Sequence, residues 1–325
     1  MQKEKAVLSL LFLSVVASGC MSSGNSTGSV TVKSLNVEPT QIFEGQSVRA
    51  QMEIENTGNI AGEVAIGEDG KEILRGHCPD IFSVDSSGFS VTSTRDSYDG
   101  ESAKLEPGDQ LRVRWKLNQK AERVPLYGLD CDLKFPVKFN YSVSGLRQVQ
   151  IKKNKEVEGS NKLQTQSSPG PMNIVMGTLP SSTGKTSTFI ADTSDDSRDL
   201  SIAIQLRNPN PESEEYRKGV VDVNENSFRI EATEPLELDE SMSLDGEDMV
   251  WNANGYSDPK CEVPQTRRGL RLDQGKSVTI RCNIPLPEKN ELQSPSAISE
   301  ISAHVNYTYE KDAGTRNIKV ESRGQ

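Results

Sequence analysis

The chain has 325 residues, of which 34% are hydrophobic and 26% charged, which fits about two domains of modest core size if most of it is sheet with solvated faces. Its net charge of −10, from 37 basic and 47 acidic residues, repels phosphates and argues against a nucleic-acid partner. Only two histidines, His77 and His304, are present, so imidazole-based catalysis and metal binding have little to work with.

The first segment reads as an address. Lys3 and Lys5 precede Ala6–Ala17, an apolar run broken only by Ser9 and Ser14. A run of that length is too short to cross a bilayer as a helix, which takes about 20 residues. A basic start, a short apolar run and the small residues Ala17-Ser18-Gly19 make a secretory signal. Cys20 follows at once, and the arrangement resembles the lipobox of prokaryotic lipoproteins, with Ala17 where that family usually carries Leu. The resemblance implies that 1–19 is a signal peptide and that Cys20 is lipidated as the first mature residue. The plain alternative is an ordinary cleaved signal with a stray Cys. Cys20 is also the odd one of five cysteines. A two-chain lipid would hold the protein at the outer face of the cytoplasmic membrane or at the cell surface. The small polar residues of 20–29 read as a flexible tether.

Beyond the tether the pattern is β. Ser47–Glu55, Leu111–Leu117, Val137–Val143, Leu200–Leu206 and Val278–Ile284 alternate apolar and polar residues, spoiled only at Ala203, as half-buried antiparallel strands do. Turns separate them at Asn56-Thr57-Gly58, Glu106-Pro107-Gly108-Asp109, Asn208-Pro209 and Asp273-Gln274-Gly275. No sustained helical period appears. A weak repeat runs through the chain: a Gly-containing turn leading into a strand recurs at 43–48, 105–111 and 272–278. Phe139-Asn140-Tyr141-Ser142-Val143 and Val305-Asn306-Tyr307-Thr308-Tyr309 match as closing strands, each expected to turn at a following Gly into a final hairpin. The expected organisation is an all-β chain with two immunoglobulin-like antiparallel β-sandwich domains in tandem, at 30–152 and 173–322. The polar stretch 153–172 joins them as a linker.

Ser34-Leu35-Asn36-Val37-Glu38-Pro39, Glu44-Gly45-Gln46-Ser47-Val48 and Ile54-Glu55-Asn56-Thr57-Gly58 resemble the opening strands of CARDB-type modules. These are immunoglobulin-like sandwiches of prokaryotic surface proteins. The resemblance covers about 30 residues of the first domain. Leu200–Asn210 echoes it in the second, with Asn208-Pro209 in place of Asn-Thr-Gly. It implies a fold and brings no catalytic residues with it.

Four cysteines remain after Cys20. Cys78 and Cys131 fall in the first domain, Cys261 and Cys282 in the second, which suits one disulfide per domain in an exported chain. Metal ligation is the rival, but there is no Cys-x-x-Cys and only His77 lies beside a cysteine.

Candidate sites are few. Residues 231–258 carry nine acids and no Lys or Arg, and Asp245, Glu247 and Asp248 crowd around Gly246. Close hard oxygens suit Ca²⁺, although the spacing is not that of an EF-hand, and a solvated acidic loop explains the same residues. Carboxylate pairs for a hydrolase are easy to find among so many acids and single out no pair. Trp251, Asn252, Asn254 and Tyr256 form an aromatic–amide loop suited to a sugar or protein ligand, or to capping the core. Asn25, Asn140 and Asn306 begin N-x-[ST] sequons, open to glycosylation or to plain solvent exposure. Ser181–Thr186 has the tail of a phosphate-binding loop without its upstream glycine. The expected function is a non-enzymatic, lipid-anchored surface module that binds a protein or glycan or builds an envelope assembly, without a cofactor. The alternative is a calcium-dependent module or hydrolase using 231–258.

Overall fold

The computed structural model describes residues 30–70, 72–76, 81–95, 97–120, 124–154, 163–168, 170–178, 188–191, 199–208, 219–236, 238–242, 260–262 and 270–323. The chain is all β. Ten strands come from the first half: β1 (Val30–Glu38), β2 (Gln41–Phe43), β3 (Ser47–Asn56), β4 (Gly62–Ala65), β5 (Arg75–Gly76), β6 (Phe82–Val84), β7 (Ser90–Ser93), β8 (Ser102–Leu105), β9 (Gln110–Gln119) and β10 (Leu129–Lys152). Ten more follow: β11 (Thr165–Ser167), β12 (Asn173–Thr178), β13 (Thr188–Ile190), β14 (Asp199–Arg207), β15 (Val220–Ala232), β16 (Leu238–Met242), β17 (Lys260–Glu262), β18 (Leu270–Leu272), β19 (Ser277–Pro285) and β20 (Ser296–Glu321).

They form three sheets. One runs β1-β3-β9, with β6 and β7 on the far edge of β9. A second runs β12-β14-β19-β17. Between them lies a large central sheet in the order β16-β15-β20-β10-β4-β8, with β2, β5, β11, β13 and β18 attached. Pairing is antiparallel except for β2 on β20 and β13 on β10. The alternation read from the sequence sets the faces. Val48, Ala50, Met52 and Ile54, then Leu111, Val113, Trp115 and Leu117, then Leu200, Ile202, Ile204 and Leu206 are all buried, with polar residues between them except at Ala203.

The central feature is the pairing of β10 with β20. These strands have 24 and 26 residues and pair antiparallel from Leu129↔Val320 to Lys152↔Ser296, with one bulge. The two expected closing hairpins are therefore absent, since each is one continuous strand. The reasons lie at the two glycines. Gly145 makes room instead of turning: a Cβ there would sit 2.6 Å from Cγ2 of Ile174 on β12. Gly314, at φ +126, accommodates the bulge opposite Phe135, where an extra residue enters β20 and the ladder then resumes. The later part of the linker segment is also built in. Thr165–Ser167 pair with Gly145–Arg147, and Gly170, Pro171 and Met172 are buried.

Each long strand serves both halves. The first part of β10 meets the first half, with Phe135 against Trp115 of β9 and Tyr141 bonded to Val30 of β1. Its later part, at Gly145, meets Ile174 and Met176 of β12. Conversely β20 packs with β15 in its first part, while beyond the bulge Arg316 donates to the Leu35 carbonyl of β1 at 3.0 Å and Lys319–Glu321 pair with β2. The halves thus exchange strand ends across a pseudo-twofold axis. The axis passes between Tyr141 and Tyr307, which are opposite each other in register and stack at 5.7 Å. Their hydroxyls do equivalent work, accepting from Val30 N–H at 2.9 Å and from Met172 N–H at 3.1 Å, at the start of each half. Buried residues of both halves belong to one continuous core cluster.

Two buried asparagines show the repeat at atomic detail. Asn56 Nδ2 donates to the carbonyls of Ile60 and Leu105, both at 2.8 Å. Asn208 Nδ2 donates to those of Gly219 and Leu272, at 3.1 and 3.0 Å. Each Asn carbonyl also accepts from the turn glycine of its own half, Gly108 at 2.7 Å and Gly275 at 2.9 Å. Both glycines have the positive φ that the turn requires, +84° and +74°.

Candidate interaction surfaces

Many residues singled out from the sequence lie outside the described residues: Cys20, Asn25, Cys78, Asp245, Glu247, Asp248, Trp251, Asn252, Asn254 and Tyr256. Cys131 is buried and disulfide-bonded. Cys261 and Cys282 sit opposite each other on β17 and β19 and are bonded, with Cα atoms 4.0 Å apart. Of the acidic stretch, Glu231 is held by Arg229 at 2.8 Å and lies 4.0 Å from His304 Nε2, on the outer face of the central sheet. Among the described residues no group of three or more His, Cys, Asp or Glu is arranged to hold a metal ion.

Sequence reasoning missed an apolar end. The turn Pro125–Gly128 closes with the Gly128 N–H donating to the Pro125 carbonyl at 2.9 Å. Its two central residues, Leu126 and Tyr127, are 88% and 90% exposed. Gly128 fixes the turn against the end of β20, because a Cβ there would lie 2.9 Å from the Val320 carbonyl oxygen. On the other side of β20, β2 brings Phe43 opposite Glu321, and Phe43 is 48% exposed. Three large apolar side chains therefore ring the end of one strand. The sequence signal was a Pro-Leu-Tyr-Gly turn, in which the two residues that must project are both apolar.

Other surfaces are polar. On the outer face of the first small sheet, Arg112 Nε and Nη2 donate to Glu53 Oε1 at 2.9 and 2.6 Å, and Arg114 Nε donates to Gln51 at 3.0 Å. Nearby, Lys116 Nζ meets Asp85 at 2.9 Å. Ser87, Lys116 and Asn118 all donate to Asp85 and hold its carboxyl well below the usual carboxylate range. A shallow cleft of about 250 Å³ opens between Lys33, Glu53, Glu55, Thr92, Thr94 and Arg112, but its charges are already paired as Lys33–Glu55 and Arg112–Glu53. Cross-strand pairs such as Gln148–Glu300 and Thr308–Asn140 cover the outer face of the central sheet. Ladders of this kind solvate a sheet and set its register.

No family model matches the chain, and no curated protein matches it. Solved structures align over most of its length, among them the following three. One is described as "The Enterococcus faecalis MSCRAMM ACE binds its ligands by the collagen Hug Model"; it is 8% identical, covers 91% of this chain and 96% of its own, and has a TM-score of 0.17. The collagen adhesin (CNA) of S. aureus is 11% identical over 92% and 94%, with a TM-score of 0.17. The type II cohesin dyad from the adaptor ScaA scaffoldin of Acetivibrio cellulolyticus is 12% identical over 86% and 85%, with a TM-score of 0.20. Superpositions this loose carry no weight beside the strand pairing, and the all-β architecture stands on that pairing.

Proposed function

We propose that the protein is a lipid-anchored, non-enzymatic module displayed on the outer face of the cytoplasmic membrane or on the cell surface, and that it binds a protein partner through its apolar end. Leu126 and Tyr127, almost fully exposed on a tight turn, carry the reading. Large side chains of this kind are the usual anchors of protein interfaces, because they bury much area at small entropic cost. The body supports the same use. Val30, where the tether enters, is bonded to Tyr141 at the middle of the molecule. Leu129, beside the apolar turn, lies twelve residues away along β10, about 40 Å at strand rise. The tether of ten residues reaches at most about 35 Å. Anchor and binding end are thus separated by a stiff paired strand. A glycan ligand on the aromatic loop at 251–256 is the companion reading, and it falls on residues outside the described ones.

The test is proximity labelling on intact native cells, with the wild-type protein and with a Leu126→Ser/Tyr127→Ser variant. An envelope protein labelled by the wild type and lost from the variant supports the reading. An unchanged set of labelled neighbours refutes the apolar end as the contact. Release of a Cys20→Ser variant from the membrane fraction tests the anchor separately.

A further inference from the structure

Two sequons, Asn140-Tyr141-Ser142 and Asn306-Tyr307-Thr308, occupy the same place in the two halves. The central tyrosines are demanded by the fold, since both are buried and their hydroxyls tie down Val30 and Met172. The flanking residues point to the opposite face, as alternation requires. Asn306 and Ser142 are exposed, and Asn140 and Thr308 half-buried. Register sets Asn140 opposite Thr308 and Ser142 opposite Asn306, so each acceptor Asn lies beside the other sequon's hydroxyl residue. Thr308 Oγ1 donates to Asn140 Oδ1 at 2.9 Å, leaving the amide nitrogen out of that bond. Any polar residue would solvate this face. Two complete N-x-[ST] triplets astride the axis are more than solvation needs.

We propose that Asn140 and Asn306 are N-glycan acceptors and that their glycans cover the outer face of the central sheet. The co-reactant is an oligosaccharide activated on a lipid phosphate or pyrophosphate. The Asn Nδ2 forms a bond to the sugar C1 as the C1–O bond to phosphate breaks. The lipid phosphate leaves with the electron pair, and the amide gives up one proton. Transfer precedes strand pairing, because the acceptors are held in a ladder afterwards. The two acceptors are diagonal neighbours, about 7–8 Å apart, so both glycans shield one patch. The proposal rests on the reading of the chain as exported.

The experiment is peptide mass spectrometry on protein recovered from its native host, together with surface biotinylation of intact cells. Both peptides, containing Asn140 and Asn306, are expected to carry sugar on Asn. Ser142→Ala is expected to remove the added mass from Asn140 alone, and Thr308→Ala from Asn306 alone, with each Asn left in place. Unmodified peptides from biotinylated protein overturn the glycan proposal while leaving surface display intact. Unmodified peptides from protein shielded from biotin overturn the export reading and the glycan proposal together. The wild-type peptides decide the matter even if a variant fails to fold.

Discussion

The two halves build the same sandwich and fill it differently. Ala50 on β3 faces Trp115 on β9; at the equivalent place in the second half Ile202 on β14 faces Cys282 on β19. Trp115 is buried between Phe89 and Phe135, with ring centroids 6.4 and 6.0 Å away. Its bulk is accommodated by Gly70, where a Cβ would collide with the indole nitrogen, and that nitrogen is left without a hydrogen-bond partner. The second half puts a sulfur at this place and bonds it to Cys261. At this one place the scaffold is thus filled once by apolar volume and once by a covalent link, while the first half's own disulfide lies elsewhere, at Cys131. The features that do not differ, the axial tyrosines and the two asparagines, are the ones the shared topology needs.

The comparison can be broken by removing each half's own device. Trp115→Ala should cost the most, about 3–5 kcal/mol, because the large cavity forms inside a rigid sandwich. Urea unfolding monitored by circular dichroism checks it. Replacing both Cys261 and Cys282 with Ala should cost about 3 kcal/mol in the chain-entropy view of a loop with a separation of 21 residues, with the disulfide at Cys131 left intact. A thermal midpoint unchanged in that double variant would remove the covalent side of the contrast.

Substitutions at the shared features sharpen the comparison by predicting equality. Asn56→Ala and Asn208→Ala each leave two carbonyls without their donor, and each should cost about 2–3 kcal/mol. Tyr141→Phe and Tyr307→Phe should each cost about 1 kcal/mol, by stranding one backbone N–H. Strongly unequal losses within either pair would mean that the pseudo-symmetry is only geometric.

The smallest effect is pH-dependent. Asp85 is lowered chiefly by Ser87 and then by Lys116 and Asn118; Asp99 is lowered chiefly by the Ser102 backbone N–H and then by that of Glu101. A carboxylate whose folded pKa is depressed contributes fully above its unfolded value, near 4, and loses that contribution as pH falls toward the folded pKa. Amide protection around Phe82–Leu105, relative to the intrinsic exchange rate at each pH, should therefore fall below about pH 4, and less so in high salt, since Asp99 is exposed and Asp85 half-buried.

Strand faces were legible in the sequence because period-two alternation is local, and Val278–Ile284 shows it without an error. The repeat was legible at Gly108 and Gly275, where a turn needs a positive φ. What stayed hidden was long-range. Gly145 looks like a turn residue, and only the approach of Ile174 reveals that it clears space between sheets. A polar stretch such as 164–168 reads as a linker until its partner strand is known. The apolar end escaped because exposure of Leu126 and Tyr127 follows from the geometry of one turn and has no periodic signature. The cysteine pair 261 and 282 could be counted in advance, but that Cys282 takes the place of the first half's tryptophan could not.

The central claim is that the shared β10–β20 ribbon makes the two halves one cooperative body. Hydrogen–deuterium exchange under native conditions tests it most directly. The account predicts that amides of Leu133–Val149 and Ile301–Val320 are among the slowest to exchange, and that both halves open together in one global step. Rapid exchange along the ribbon, with the first and second halves opening in separate steps, would contradict it.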